Sequence, residues 1–295
     1  MRLLYNILFP VLFLLAAPFY CWKLVRRGNW RAGFAQRFGA YGELTEQLKN
    51  QRVIWLHAVS VGEANLAVQL VERLQAADSE SVYVVSTTTT TGMGVLQRRL
   101  QAGVNAVYYP IDWLPFVKQA FKALNPAAVV LVEAEIWPNL FWEAETRSVP
   151  MTLVNARLSE RSFRGYQRFG LLFRPLFQSL CAAGVHHEAD ARRLESLGTR
   201  PEVISVTGNL KFDGAPGGIS SDCDVRGILH QLDVPAAAPV LVAGSTFEGE
   251  ELLMAELLPR WRKVAPDLFL VIVPRHFERG AAVQEQLRSA GWKVA

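Results

Sequence analysis

The chain has 295 residues, is 51% hydrophobic, and carries 31 basic against 27 acidic side chains, a formal charge of +4. So slight an excess excludes a protein that wraps nucleic acid by charge, and the length suits two domains. Three cysteines, Cys21, Cys181 and Cys223, match no zinc, redox or disulfide spacing and read as reduced thiols.

Residues 3–22 contain no charged side chain. At a rise of about 1.5 Å per residue, such a helix reaches roughly 30 Å, the thickness of a hydrocarbon core. Asn6, Pro10 and Pro18 weaken it as a straight span. Five basic residues follow, Lys23, Arg26, Arg27, Arg31 and Arg37, with no acidic one among them. The positive-inside rule then puts the body of the protein in the cytoplasm, and the same cluster suits anionic headgroups. A cleaved signal peptide would use the small Ala16 and Ala17, but its charge should precede the apolar run. A helix lying in the interface would need a polar face, which this run lacks. The expectation is a membrane anchor helix over 1–25.

From Arg52 onward, short apolar runs alternate with helical stretches. Strands are expected at Val53–His57, 82–86, 106–109, 128–133, 151–155 and 203–207. Most are rich in Val, Leu or Ile on both faces, the mark of a parallel sheet covered on both sides. Amphipathic segments at 63–77 and Leu114–Leu124 fit the connecting helices. The first domain therefore runs over 26–212. Gly, Pro, Ser and Asp crowd residues 213–224, which read as a linker. Strands at 240–243 and 268–273, with helices at 249–264 and after Glu278, give a second, partial domain over 225–295.

In open parallel sheets, ligands bind beyond the carboxyl ends of the strands. Polar residues gather there: His57, Ser60 and Glu63 after the first strand, and Ser86 with five threonines and Gly92 after the second. Glu133, Glu135, Trp137 and Asn139 follow the fourth strand, and Asn155, Arg157, Ser159 and Arg161 the fifth. Glu63 can be a helix-capping carboxylate or a general base facing the crevice. Glu133 can be a structural carboxylate paired to Arg157 or Lys211, with burial raising its pKa and a cation lowering it. Trp137-Pro138-Asn139 reads as a helix start. Lys211 is either a solvated lysine or a cation that balances developing phosphate charge.

In the second domain, Gly244-Ser245-Thr246 lies between a strand and a helix and suits a phosphate held by backbone N–H groups. Pro274-Arg275-His276 closes the next strand, where Arg275 can form an ion pair or bind two phosphate oxygens. The histidines His57, His186, His187, His230 and His276 show no ligand spacing, and His186-His187 reads as a solvated helix start. No metal site and no serine or cysteine triad is expected.

Eight segments, in order, resemble the Kdo (3-deoxy-manno-octulosonic acid) transferases of lipopolysaccharide synthesis. They are RRGNWRAGFAQRFG (26–39), LHAVSVGE (56–63), TTTTTG (87–92), VEAEIWPN (132–139), NARLSERS (155–162), TGNLKFD (207–213), AGSTFEGEE (243–251) and IVPRHFER (272–279). The resemblance implies an α/β fold of two Rossmann-like domains in the B-type glycosyltransferase architecture, the second incomplete, with an apolar anchor helix at the cytoplasmic face of a bacterial inner membrane. It implies CMP-Kdo as donor, a lipid A precursor (lipid IVA) as acceptor, inversion at the anomeric carbon, no cofactor and no nucleic-acid partner. Glu63 would be the base, Glu133 and Lys211 would stabilise the transition state, and Pro274 and Arg275 would contact CMP. Phe247 and Phe277 stand where the family usually has His and Pro. The family also carries further donor-binding segments past the last residue here. The alternative is a membrane-tethered, non-catalytic relative that binds lipid A precursor or a partner.

Overall fold

Alternation of apolar runs with helices is what the computed structural model displays over its described residues, 1–26, 31–133, 135–213 and 224–294. The expected linker lies outside them apart from Asp213 and Asp224, as do Arg27 and Cys223. The chain divides into two units, 1–215 and 216–295.

The first unit opens with α1 (Arg2–Arg26), which continues through Pro10 and Pro18. Among the described residues it is the one helix long and apolar enough to cross a membrane. A 3-10 turn and the short α2 (Glu43–Gln47) follow. Then come β1 (Val53–His57), α3 (Val61–Ala77), β2 (Val82–Thr87), α4 (Thr90–Arg99), β3 (Asn105–Tyr108), α5 (Leu114–Leu124), β4 (Pro126–Val132) and α6 (Pro138–Thr146). The unit finishes with β5 (Met151–Ala156), α7 (Glu160–Arg168), α8 (Gly170–Gln178), β6 (Ala182–Val185), α9 (Glu188–Leu197) and β7 (Ile204–Val206).

All seven strands pair in parallel in the order β3-β2-β1-β4-β5-β6-β7. One more strand is present than the sequence suggests. β6 reads Ala-Ala-Gly-Val, too small and too weakly β-branched to announce itself, and pairing on both sides makes it a strand. Gly184 within it packs closely, since a Cβ there would come within 3.1 Å of the Thr207 hydroxyl.

Both faces of the sheet are covered, which is why its strands are apolar throughout. Trp55 on β1 points into a core with Tyr109, Phe121 and Phe141, while its neighbour Leu56 joins Ala67, Val68 and Leu96 beneath α3 and α4. Each fully buried Leu or Phe contributes about 1.5–3 kcal/mol to this packing. His57, at the end of β1, is fully buried and therefore does not line a crevice. Its Nδ1 meets Ser86 Oγ at 2.9 Å, and burial pushes its pKa down to about 3, so it is a neutral core residue.

α1 is joined to this body at its first turns. Tyr5 donates to Asp112 Oδ2 (2.9 Å), and Asn6 Nδ2 donates to Asn139 Oδ1 (2.9 Å). Asp112 is buried, also accepts from the backbone of Asn139 and Leu140 at the start of α6, and is pushed up to about 6 by burial.

The second unit holds α10 (Val225–Gln231), β8 (Val240–Thr246), α11 (Glu250–Arg262), β9 (Phe269–Pro274) and α12 (Gly280–Ser289). β8 and β9 form a parallel pair, and α11 and α12 share a small core of Ala255, Val283 and Leu287.

Candidate active site

β1 stands inside the first sheet, with the chain winding outward through β2 and β3 on one side and β4 to β7 on the other. The gap between the carboxyl ends of β1 and β4 is thus the topological switch point, where open α/β sheets hold ligands. The turn after β1 carries Glu63, and the turn after β4 carries Glu133 and Glu135.

The local structure of each turn follows from its sequence. Ser60 caps α3: its hydroxyl accepts from Glu63 N (3.2 Å), while the Glu63 carboxylate accepts from Val59 N (2.8 Å) and Ser60 N (3.3 Å). This is the capping box read from the sequence, and it leaves Glu63 only 5% exposed. Two of about four acceptor sites on the carboxylate are used, so others remain for a hydroxyl. The threonine run supports this turn from the next strand. Thr87 and Thr89 hydroxyls both donate to Val59 O, at 3.2 and 3.0 Å. Gly92 lets them close in, since a Cβ there would lie 2.6 Å from Thr87 Oγ1.

Glu133 lies one residue past β4, not within it, and adopts φ +62°, a left-handed conformation that an ordinary side chain enters at a cost of about 1–2 kcal/mol. Non-glycine residues held there cluster at functional sites. Its carboxylate faces Lys211 Nζ at 4.0 Å. Burial and the charge of Glu63 raise its pKa, against Lys211 and Arg157, which lower it. Glu135 is pushed up to about 7 by burial, then by Glu63 and Glu133. Three carboxyls from two turns therefore share one field, with cations on one side. The sequence named Glu135 among the strand-end residues without a role; the pattern Glu-X-Glu at a strand end was the available signal.

Lys211 is brought in by Asn155, at the end of β5. Asn155 Oδ1 accepts from Leu210 N (2.9 Å) and meets His186 Nε2 at 2.8 Å. Asn155 is 1% exposed and also left-handed, at φ +56°. It fixes the 207–213 loop so that exposed Lys211 points back to Glu133. His186 is buried, not solvated, and only the following His187 is exposed, at the N-cap position of α9 with no side-chain cap hydrogen bond. Burial lowers the His186 pKa, with Arg157 and Lys211 adding to it.

In the second unit, the register sets Thr246 opposite Pro274, so Ser245, Thr246, Pro274 and Arg275 meet at the carboxyl ends of β8 and β9. Ser245 sits in a bulge at φ +59°. Thr246 is buried and donates to Glu251 Oε1 (3.0 Å), which also pairs with Arg279 at 2.9 Å. Ser245 and Thr246 are the last residues of β8, and α11 begins at Glu250, one residue from the expected start, with the acidic Glu250 and Glu251 in its first turn. Glu250 accepts from Phe247 N at 2.7 Å. Negative side chains there compete with a phosphate for the helix N-terminus. Among the described residues, nothing pairs with the exposed Arg275 guanidinium, which stays open to an anion. Also among the described residues, no three His, Cys, Asp or Glu side chains are grouped as metal ligands.

Comparison with known proteins matches these elements to one family. The family described as 3-deoxy-D-manno-octulosonic-acid transferase (kdotransferase) matches residues 32–214. A 3-deoxy-D-manno-octulosonic acid transferase of Bordetella pertussis is 30% identical over 286 residues, covering 94% of this chain and 64% of the relative. That of Haemophilus influenzae is 29% identical over 266 residues, covering 90% and 61%. A bifunctional glycosyltransferase/methyltransferase of Fusobacterium nucleatum is 29% identical, covering 97% of this chain and 42% of the relative. The chain thus spans less than two thirds of these relatives. Among solved structures, UDP-GlcNAc 2-epimerase of Neisseria meningitidis aligns with a TM-score of 0.54 at 13% identity, covering 80% of this chain and 69% of that one. A glycosyltransferase of Rickettsia africae aligns at 0.53 and 12%, covering 82% and 66%. These two bear on the fold alone, an α/β architecture of the B-type glycosyltransferase kind. With a match over more than half its length and the acidic cluster at the sheet's switch point, the chain belongs to the Kdo transferase family.

Proposed function

We propose that this protein transfers Kdo from CMP-Kdo to a lipid A precursor of the lipid IVA kind, with inversion, at the cytoplasmic face of the inner membrane. The observation that carries this reading is the meeting of Glu63, Glu133, Glu135 and Lys211 at the switch point of the first sheet. In this reading a glucosamine hydroxyl of the acceptor attacks the anomeric carbon of Kdo and gives its proton to Glu63. The bond from that carbon to the phosphate oxygen breaks, and CMP leaves as an anion. Lys211, held against Glu133, offsets the charge that develops. The exposed guanidinium of Arg275, beside Pro274, suits the phosphate of CMP, with Ser245 and the backbone of Thr246 next to it. The side-chain hydroxyl of Thr246 is engaged by Glu251 and takes no part. Protein cations supply the charge balance, so the scheme uses no cofactor. α1 holds the chain at the membrane, where the lipid acceptor resides.

The test is a transfer assay on membranes containing this chain, with lipid A precursor as acceptor and CMP-Kdo or UDP-sugars as donors. Incorporation from CMP-Kdo is expected. Incorporation from UDP-sugars alone overturns the donor assignment, and lipid binding without transfer assigns the chain the non-catalytic role.

A further inference from the structure

α1 carries two surfaces. Tyr5, Asn6, Phe9, Phe13 and Ala16 recur every three or four residues and are half-buried, whereas Leu3, Ile7, Val11, Leu14 and Leu15 are exposed apolar side chains. At 25 residues the helix is about 37 Å long, enough to cross a bilayer. Its first turns, however, are bound to the body. Arg2 donates to Trp142 O and to Thr146 Oγ1 (3.2 Å), and Tyr5 and Asn6 bond Asp112 and Asn139. Asn6 Oδ1 also accepts from Leu114 N at 3.3 Å. By residue 36 the chain is on the body again: Gln36 Oε1 accepts from Tyr108 N (2.8 Å), and Arg37 donates to Thr88 O (3.0 Å).

A single span places the two ends of its helix on opposite sides of the membrane, which these bonds forbid. Withdrawing α1 to span would strip the Tyr5 and Asn6 partners from Asp112 and Asn139, which are 2% and 0% exposed. Asp112 would keep the backbone donors of Asn139 and Leu140, but Asn139 Oδ1 would lose its Asn6 donor, and a buried acceptor left unpaired is costly. It would also carry Asn6 into hydrocarbon and Arg2 across it. The body shares the apolar surface. Leu4 and Leu8 of α1, Phe169 between α7 and α8, and Leu171 of α8 line one trough of about 390 Å³, with Leu171 83% exposed. A departing helix would leave Phe169 and Leu171 in water.

We propose that α1 is monotopic: it lies along the first unit with its outward face sunk into one leaflet of an anionic bilayer, and residue 1 stays on the same side as the body. The occupant of the apolar face is lipid hydrocarbon, and Arg168 at the trough suits anionic headgroups. The inference rests on the membrane placement proposed above and says how it is achieved. It also brings the bilayer to the site, since Asn139 lies in the first turn of α6, directly after the loop that bears Glu133 and Glu135.

The experiment uses the full chain with Cys21→Ser and Cys223→Ser, a short polar extension bearing one cysteine ahead of Met1, and native exposed Cys181 as the reference. Inverted inner-membrane vesicles, whose cytoplasmic face is outward, are treated with a membrane-impermeant maleimide. Labelling of the added cysteine within about two-fold of Cys181 before detergent is expected. Protection of the added cysteine until detergent is added, with Cys181 labelled throughout, means that α1 spans, and overturns the proposal. Recovery of the chain in the soluble fraction overturns the membrane placement itself, and the monotopic reading with it.

Discussion

Glu63 serves the helix and the proposed chemistry with the same carboxylate, and two substitutions separate the roles. Glu63→Ala removes the acceptor for Val59 N and Ser60 N, two donors at a site 5% exposed. Loss of such a cap costs about 0.5–2 kcal/mol. Loss of negative charge at the start of α3 adds about 0.3–1 kcal/mol. Glu63→Ala should therefore destabilise the first unit by roughly 1–3 kcal/mol. Glu63→Gln keeps an acceptor oxygen in the capping box and forfeits only the charge, under about 1 kcal/mol. A general base is worth about 10²–10⁴-fold, and glutamine cannot take a proton. The expected pair of results is a urea midpoint near wild type for Glu63→Gln with transfer from CMP-Kdo reduced at least about 100-fold. Turnover by Glu63→Gln within about five-fold of wild type, in the same membranes, would refute Glu63 as the base and leave it a capping residue alone.

Asn155→Ala removes the acceptor for Leu210 N and the partner of His186 in a left-handed position; a loss of about 2–4 kcal/mol, read from urea midpoints, is expected, with transfer falling as the Lys211 loop is released. Glu135 has a folded pKa raised from 4.5 to about 7, so its contribution to stability is full below the unfolded value and is lost as pH rises through about 7. Glu135→Gln should then gain stability over wild type by about 1–2 kcal/mol at about pH 8, allowing for partial exposure, and gain nothing near pH 4, as paired denaturation curves will show. Thr246→Val leaves Glu251 with Arg279 as its remaining side-chain partner and should destabilise the second unit by about 1–3 kcal/mol, whereas Arg275→Ala should leave melting unchanged and weaken CMP binding about ten-fold or more by titration calorimetry.

The strand runs, the helix over Leu114–Leu124, the Ser60–Glu63 cap and the Pro138 helix start were legible in the sequence because each depends on residues within a few positions of one another. Burial on both faces was legible too, since a strand apolar on every side has no water-facing option. β6 was not, because four small residues become a strand only when neighbours on both sides supply hydrogen bonds. Nor could local pattern distinguish a spanning α1 from one tied to Asp112 and Asn139, more than a hundred residues away. The same holds for Glu135, whose carboxyl is shifted first by burial and then by Glu63, and so by β1 lying beside β4. Sequence thus determined the elements other than β6 and most of the chemically capable residues. Strand order and the left-handed turns at Glu133 and Asn155 decided which of them meet, because convergence between distant segments is a property of packing and not of any local period.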